Sequence, residues 1–556
     1  MLGETLRIPP PGQDNHTDDD TEENDMSAHI QPPLGLSRRA FLTAAGVGLG
    51  GLALSACTRS APTTGANAVN EKAIAAAEAA RPHTGRTVNY NLTPQRAEID
   101  LGGPKVSTLV YGDTLPGTPI RANVGDELAV ALSNRLDHPT SVHWHGIALR
   151  NDMDGAMPAS PNIAPNESFT YRYSVPHSGT YWAHPHAAGV DTDYGLYLPV
   201  IVDDPGEAGT YDAEWIVVLD DWTDGVGKNP QDIFSDLSNG GMGSMGNGSG
   251  GMPGMSGMGD MPGMDQGAQP SSSNPSGAAT SNGVGASALL GGDAGDVSYP
   301  YYLVNGRIPE APTTFAAKPG QRVRIRIINA GADTAFRVAL ANHKMTVTHT
   351  DGFPVAPVEV DALLLGMGER YDVIVTVKDG VFPLVAAAEG KNAQGRALLN
   401  TGAGSAPAPT YQPAELNGRV GTVDDFVAAE NVMLPQRQPD ASLRADLGGD
   451  MMSYAWTING RSYDNTEPLT IRQGQRARLT FTNMTMMWHP MHLHGHTFQV
   501  IKPDGSPGPR KDTVIVLPMR SVAVDLIADN PGDWMLHCHN AYHMDAGMMT
   551  QLNYTA

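Results

Sequence analysis

The carboxyl-terminal segment of the chain combines one cysteine with several histidines and a methionine. Cys538 lies between His537 and His539, and His543 and Met548 follow it. A thiolate, an imidazole and a weak thioether form the ligand set of a blue-copper site. Because neighbouring side chains of a strand point to opposite faces, we expect Cys538 to face one metal and the flanking histidines a second. The spacing therefore indicates electron transfer between two metal centres.

Three further histidine clusters lie upstream. They are His143-Trp144-His145, His184-Pro185-His186 and His489-Pro490-Met491-His492-Leu493-His494. Any single pair is explained about equally well by histidines in the core of a strand. A zinc site, however, is complete with three or four ligands. Ten histidines with one cysteine and one methionine therefore predict several metal ions.

The four motifs, HWHG, HPH, HPMHLH and HCHxxxHxxxxM, resemble in order those of the three-domain multicopper oxidases. The resemblance implies a type 1 copper, which takes electrons from substrate, at His489, Cys538, His543 and axial Met548. It implies a type 2 copper at His143 and His492, one type 3 copper at His145, His184 and His539, and the other at His186, His494 and His537. Electrons would pass through Cys538, and the trinuclear cluster would reduce O2 to water. An axial methionine predicts a type 1 potential at the lower end of the family's range.

Proton supply is less clear in the sequence. Asp154 matches the family position where a carboxylate helps to protonate oxygen, but it reads equally well as a turn aspartate before Gly155. Bacterial relatives often carry a glutamate after the last type 1 histidine, and here Met544 stands there, followed by Asp545. The second proton route therefore stays open. His496 has ligand-like spacing, yet all ligand positions are filled, so we predict a core or supporting role.

The chain is predicted to be all-β, with three cupredoxin-like Greek-key β-sandwich domains. One strand pattern recurs from Gly125, Gly320 and Gly474 to an asparagine nine residues later, which indicates three similar units. The predicted boundaries are 1–56 for an extension and export signal, 57–85 for a tether, 86–207 and 208–404 for the first two domains, and 405–556 for a linker and the third domain. Ligand motifs fall in the first and third domains, so the trinuclear cluster should lie between those two.

The amino-terminal segment resembles an export signal. Arg38 and Arg39 precede an apolar run that ends in a lipobox at Cys57, which indicates twin-arginine export and lipid attachment outside the cytoplasmic membrane. A transmembrane anchor is the weaker alternative, because the run is short and rich in glycine and alanine. An acidic run precedes Met26, which we interpret as the true start. A formal net charge of −23 argues against nucleic-acid partners.

A Gly-, Ser- and Met-rich segment at about 238–292 is predicted to be a disordered insertion in the second domain. Its regularly spaced methionines are Met242, Met245, Met252, Met255, Met258, Met261 and Met264. Thioethers are soft ligands that favour Cu(I). We therefore interpret the segment as a copper-collecting arm, with a neutral linker as the alternative.

The sequence thus predicts a monomeric, lipid-anchored oxidase that holds four copper ions and uses O2. Its expected substrate is Cu(I), which it would oxidise to Cu(II) in copper resistance. One alternative is a laccase-like oxidase of phenols and aromatic amines, since the same copper centres serve both. A second is a copper-sequestering or electron-transfer protein without turnover, which the additional histidine pairs disfavour because a carrier needs no oxygen-reducing cluster.

Overall fold

The computed structural model describes residues 65–207, 209–240, 285–402 and 404–555, with side chains from residue 70 onward. Cys57, the export signal and the methionines from Met242 to Met264 lie outside these ranges. Within them the chain forms three consecutive β-sandwiches, which confirms the predicted all-β architecture. None of the helices in these ranges combines the length and the apolar character that a membrane crossing needs.

The first sandwich falls within the predicted range 86–207. Its strands are β1 (Thr87–Leu92), β2 (Pro94–Asp100), β3 (Lys105–Tyr111), β4 (Ile120–Asn123), β5 (Glu127–Ser133), β6 (His143–His145), β7 (Ser168–Ser174), β8 (Gly179–His184) and β9 (Leu198–Asp203). They form sheets in the orders β1-β5-β7, β2-β3 and β4-β9-β8-β6. Strands β6 and β8 pair antiparallel with His143 opposite His184, so two ligand motifs share one sheet.

The second sandwich consists of two larger sheets. Its strands are β10 (Ala213–Trp222), β11 (Tyr301–Val304), β12 (Thr314–Ala316), β13 (Arg322–Asn329), β14 (Phe336–Leu340), β15 (Met345–Thr350), β16 (Phe353–Val360), β17 (Ala362–Leu365), β18 (Arg370–Thr376), β19 (Val381–Ala388), β20 (Ala393–Asn400) and β21 (Val420–Gly421). The sheet orders are β11-β10-β13-β18-β15-β16 and β12-β20-β19-β14-β17-β21. Strand β21 belongs to the predicted linker, which therefore packs on this domain.

The third sandwich carries the remaining ligand motifs. Its strands are β22 (Ala441–Asp450), β23 (Ala455–Ile458), β24 (Leu469–Arg472), β25 (Arg476–Asn483), β26 (His489–Leu493), β27 (Phe498–Ile501), β28 (Pro507–Lys511), β29 (Thr513–Val516), β30 (Ser521–Ile527), β31 (Asp533–Cys538) and β32 (Met549–Thr555). The sheet orders are β23-β22-β25-β30-β27-β28 and β24-β32-β31-β26-β29. Strands β26 and β31 pair antiparallel with His492 opposite His537.

The predicted repeat corresponds to strands β5, β13 and β25, which hold equivalent places in the three sandwiches. Each pairs parallel with β1, β10 or β22 and antiparallel with β7, β18 or β30. The side chains of Asn134, Asn329 and Asn483 each accept a hydrogen bond from the backbone N–H two residues later. The shared asparagine therefore fixes the same turn in all three units.

Helices are few in the described ranges: α1 (Gly65–Ala79), α2 (Val190–Asp193), α3 (Pro230–Gly240) and α4 (Ala541–Asp545). Helix α4 carries His543 and begins at Asn540, whose side chain accepts hydrogen bonds from the N–H groups of Tyr542 and His543. This N-cap satisfies donors that the first turn of a helix leaves free. The cap therefore fixes the start of the turn on which His543 sits.

Regular structure extends into both ends of the predicted insertion at about 238–292. Residues up to Gly240 continue helix α3, and the chain is again regular at Ala288–Leu290, a 3₁₀ turn. Leu290 is fully buried beside Met367 and Trp488. This leucine packs against both the second and the third domain. Such a contact joins distant parts of the chain, so the Gly- and Ser-rich local composition does not predict it.

Candidate metal centres

His489, Cys538 and His543 form a compact, buried triangle in the third domain. The Nδ1 atoms of the two histidines are 3.1 Å apart, and they lie 3.7 and 3.8 Å from Sγ of Cys538. The point equidistant from these three atoms is about 2.1 Å from each, close to metal–nitrogen and metal–sulfur bond lengths of about 2.0–2.3 Å. The triangle therefore fits one metal ion.

Met548 and Trp456 enclose this triangle. The carbonyl of Met548 accepts a hydrogen bond from the N–H of Cys538, and its own N–H donates to the carbonyl of His543. Its side chain is fully buried. The indole of Trp456 lies over the imidazole of His543, with ring centres 4.2 Å apart. The indole of Trp456 thus gives the triangle an apolar cover on one side, and such a cover limits the access of solvent to a metal site.

The outward nitrogens of both triangle histidines are covered by protein groups. Nε2 of His489 lies 2.8 Å from the hydroxyl of Thr485. Nε2 of His543 lies 2.9 Å from Oδ2 of Asp296, which also accepts a 2.7 Å hydrogen bond from the hydroxyl of Tyr454. Asp296 belongs to the second domain, so the middle domain contacts this centre directly.

The other eight ligand-type histidines meet where the first and third domains face each other. The imidazole of His143 stacks on that of His494 at 3.6 Å, and His145 stacks on His492 at 3.7 Å. Seven of the eight are buried, and His186 is half-buried. Imidazole rings of the first domain thus stack on rings of the third domain, so both domains contribute to one cluster of histidines.

Ring-nitrogen distances bring most of these histidines close to other members of their predicted sets, and groups such as His143 with His492 and His494 are equally compact. Nε2 of His143 and Nε2 of His492 are 3.4 Å apart. The Nε2 atoms of His186 and His494 lie 3.3 and 3.0 Å from Nε2 of His537. Nδ1 of His145 lies 3.2 Å from Nε2 of His539, whose ring centre is 5.2 Å from that of His184. The structure thus brings together every histidine that the sequence pattern singled out.

In five of these imidazoles, a hydrogen bond at one ring nitrogen leaves the other ring nitrogen free for a metal ion. Nδ1 donates to a carbonyl or carboxylate oxygen in His143, His184, His492, His494 and His537, at 2.8–3.0 Å. Nε2 of His184 is buried and has no hydrogen-bond partner among the described residues. Burial, followed by the neighbouring imidazoles, holds the pKa of His184, His494 and His537 well below its ordinary value. Neutral rings with free lone pairs are suited to metal binding.

Asp154 contacts two of these histidines. Its Oδ2 lies 2.8 Å from Nδ1 of His494, and its Oδ1 lies 3.3 Å from Nδ1 of His143. Its backbone carbonyl accepts the hydrogen bond from Nδ1 of His143. The carboxylate is therefore placed at the cluster, although its residue also ends a 3₁₀ turn before Gly155.

The three remaining candidates have simpler surroundings. His496 is buried, and its Nε2 lies 2.7 Å from the hydroxyl of Tyr554, so the predicted supporting role agrees with its contacts. Met544 is also buried. The carboxylate of Asp545 accepts hydrogen bonds from the N–H groups of Gly189 and Val190.

Sequence reasoning missed the contributions of the middle domain and of Asp512. Gly368 lies so close to the cluster that a Cβ atom there would be 2.9 Å from both His145 and His539. Asp512 contacts His145 and His492, and Arg370 contacts Asp512. None of these residues lies in a recognisable motif, so the sequence offered no signal for them.

Three family models described as multicopper oxidase match residues 93–207, 214–404 and 436–556. The chain belongs to the multicopper oxidase family, and it is therefore an oxidoreductase of a copper-dependent class. It is 60% identical to "Multicopper oxidase MmcO" of Mycobacterium tuberculosis over 93% of this chain and 96% of that protein. It is 27% identical to "Copper resistance protein A homolog" of Pseudomonas syringae pv. tomato, covering 83% and 92%.

The fold is also similar to that of solved structures. The laccase from Botrytis aclada superposes with a TM-score of 0.63 and 23% identity, over 86% of this chain and 89% of that chain. At this identity the likeness establishes the fold alone. It supports the cupredoxin-like architecture predicted for the three sandwiches.

Proposed function

We propose that the protein holds four copper ions and couples one-electron oxidation of a substrate to reduction of O2 to water. The type 1 set is His489, Cys538, His543 and Met548, the type 2 set is His143 and His492, and the type 3 sets are His145, His184 and His539, and His186, His494 and His537. Nitrogen and sulfur distances support the histidine and cysteine members of these sets, and Met548 is buried next to them in the chain. Bound copper supplies the electron-transfer and O2-reducing chemistry, for which side chains alone have no equivalent.

Cys538 provides the connection between the two centres. Its Sγ belongs to the triangle with His489 and His543, whereas the rings of His537 and His539 lie against the histidines of the first domain. The path from Sγ to either ring is one short stretch of backbone. We propose that Asp154 holds and delivers protons at the cluster, because its carboxylate contacts His143 and His494.

The substrate that the structure supports best is Cu(I). The observation that carries this proposal is the covering of His543 by Asp296, since a phenol has no free imidazole edge to bind there. Asp293 is half-buried nearby, and burial, followed by the charge of Asp296, raises its pKa to about 7. The carboxylate of Asp296, joined by that of Asp293 above pH 7, attracts a cation more strongly than a neutral aromatic ring. Phenols are therefore the second candidate.

Exposed methionines support the same substrate. Met484 and Met486 are 54% and 66% exposed and flank Thr485, the residue that covers His489. Met452 is 71% exposed and lies two residues before Tyr454, the partner of Asp296. Their thioethers are accessible to solvent, and thioethers bind Cu(I). We propose that these side chains deliver Cu(I) to the type 1 centre.

We further propose that the mature protein is a monomer attached through Cys57 to the outer face of the cell membrane. The support is the twin-arginine pattern and lipobox in the sequence. Release of the protein from the membrane fraction on replacing Cys57 by alanine is the corresponding test.

Replacing Asp293 by asparagine tests whether this carboxyl group helps to attract Cu(I). We expect the KM for Cu(I) to rise roughly tenfold, which corresponds to about 1.4 kcal/mol of lost attraction, with kcat almost unchanged. Phenol oxidation should keep its rate constants, because Asp293 touches no predicted ligand. Asp504→Asn removes an exposed carboxylate elsewhere in the third domain and is the control. An equal loss for phenol and Cu(I), or no loss for Cu(I), would contradict the proposal.

Deleting residues 242–264 tests the copper-collecting arm. A tethered set of thioethers raises the local concentration of Cu(I), so we expect weaker apparent binding at low copper and lower copper tolerance of cells. Phenol turnover should be unchanged or higher. A matched control replaces the seven methionines by leucine and keeps the length of the segment. Loss of phenol turnover with intact Cu(I) turnover would favour a laccase-like role.

A further inference from the structure

Asp512 joins two imidazoles that come from different domains. Its Oδ1 lies 3.1 Å from Nε2 of His145, a residue of the first domain. Its backbone carbonyl accepts a 2.9 Å hydrogen bond from Nδ1 of His492, a residue of the third domain. His145 therefore donates through Nε2 and turns Nδ1 toward His539, whereas His492 turns Nε2 toward His143. Oδ1 of Asp512 also lies 3.4 Å from Nδ1 of His492, and the Thr513 hydroxyl lies 3.1 Å from both this nitrogen and Nε2 of His145. The carboxylate of Asp512 thus faces one predicted ligand from each of two domains.

The carboxylate of Asp512 is itself held by an arginine of the middle domain. Nη1 and Nη2 of Arg370 donate to Oδ1 and Oδ2 of Asp512 at 2.7 and 2.6 Å. Two parallel hydrogen bonds of this kind fix the plane of the carboxylate as well as its position. Both side chains are completely buried, so water does not compete for the contact.

Arg370 is anchored in all three domains. Its Nε donates to the carbonyl of Thr180 in strand β8, and its Nη1 also donates to the carbonyl of Gly368. A Cβ atom at Gly146 would lie 2.3 Å from Nη2 of Arg370, so the glycine of the HWHG motif makes room for the guanidinium. The left-handed backbone of Gly146, with φ of 85°, also favours glycine. Gly146, next to His145, therefore leaves the space that the guanidinium of Arg370 occupies.

We infer that Arg370 is a positioning residue of the trinuclear cluster: through the Asp512 carboxylate it fixes the free nitrogen of His145 and supports the orientation of His492, whose Nδ1 lies 3.4 Å from the same carboxylate oxygen. The inference rests on the copper sites proposed above. Groups that orient metal ligands through hydrogen bonds typically alter metal affinity by roughly 10- to 100-fold when removed. The type 2 set has two histidines, so loss of one orientation should affect it more than either type 3 set.

A second buried arginine, Arg326, forms an ion pair away from the predicted copper ligands and serves as a structural control for Arg370. Arg326, also from the middle domain, donates from Nη1 to Asp372 at 3.2 Å and to the hydroxyl of Thr180 at 3.0 Å. It resembles Arg370 in burial, in its carboxylate partner and in its contact with the first domain. Neither Arg326 nor Asp372 makes a hydrogen bond to a predicted copper ligand. Disturbing Arg326 therefore reports what loss of a buried, ion-paired arginine that contacts the first domain does by itself.

The test compares Arg370→Met, Arg370→Lys and Arg326→Met as full-length, copper-loaded proteins. Copper per chain, the type 2 electron paramagnetic resonance signal, the blue absorption band and Tm are measured. We expect Arg370→Met to keep the blue band and to bind type 2 copper roughly 10- to 100-fold more weakly. Arg370→Lys keeps the charge without the planar fork, so its type 2 signal should change in shape. Arg326→Met should lower Tm and leave the type 2 signal as in the wild type.

Outcomes of this experiment separate the inference from the proposed function. Full type 2 occupancy with an unaltered signal in Arg370→Met would overturn the positioning role. If that variant does not fold, an unaltered type 2 signal in Arg370→Lys overturns it instead. A wild-type protein without a blue band or a type 2 signal would refute the copper sites themselves, whatever the variants show.

Discussion

Replacement of Cys538 by serine is expected to abolish the blue absorption band and oxidase activity together. Sγ of Cys538 is the thiolate donor of the triangle, and the same residue connects that triangle to His537 and His539. A serine hydroxyl is a poor substitute because copper sites of this type depend on a soft sulfur ligand. Optical spectra and O2 consumption with Cu(I) or a phenol as the electron donor provide the measurement.

The fold should survive the Cys538→Ser change. The two side chains have nearly the same shape, and burying one hydroxyl costs about 1–3 kcal/mol, which a chain of this size tolerates. The type 2 signal should persist, since none of the histidines is altered. A serine variant that remains blue, or that keeps wild-type turnover, would refute the assignment of the type 1 site.

Asp154→Asn is expected to produce the second largest effect. An asparagine can still accept the hydrogen bond from Nδ1 of His494 through its carbonyl oxygen, but it holds no transferable proton. Loss of a positioned proton donor typically costs roughly 10²–10⁴-fold in rate. We therefore expect the blue band to be reduced by substrate at the normal rate without O2, and to recover slowly when O2 is added.

Asp152→Asn is the matched control for this variant. Asp152 lies two residues away and pairs with Arg150 at 2.6 Å, with its side chain 42% exposed. Its replacement should leave reoxidation by O2 unchanged. Normal reoxidation in Asp154→Asn as well would show that Asp154 serves only as a turn residue before Gly155.

Short spacings along a strand predicted which histidines share a face, whereas their division into copper sets followed from the resemblance to the multicopper oxidases. Histidines two apart, as in His143 and His145, or on either side of Cys538, keep this relation in any strand. The repeated pattern from glycine to asparagine likewise predicted three units, and Asn134, Asn329 and Asn483 make the same turn contact in each.

Spacings and repeated patterns do not predict contacts between distant parts of the chain. Asp296 reaches His543 across 247 positions of sequence, and Arg370 reaches Asp512 across 142. No periodicity or motif relates such pairs, because they meet only when separate domains pack together. The ligand motifs fall in the outer domains and gave no signal for the middle one, yet the structure places Asp296 and Gly368 of the middle domain against the two candidate centres.

The most direct test of the account is the ratio of Cu(I) oxidised to O2 consumed by the purified, copper-loaded protein. Complete reduction of O2 to water takes four electrons, so we predict that four Cu(I) ions are oxidised for each O2 molecule and that no hydrogen peroxide accumulates. A ratio of two with stoichiometric hydrogen peroxide would contradict a trinuclear cluster built from these eight histidines. Bound Cu(I) that is retained without O2 consumption would show a copper-storage protein instead of an oxidase.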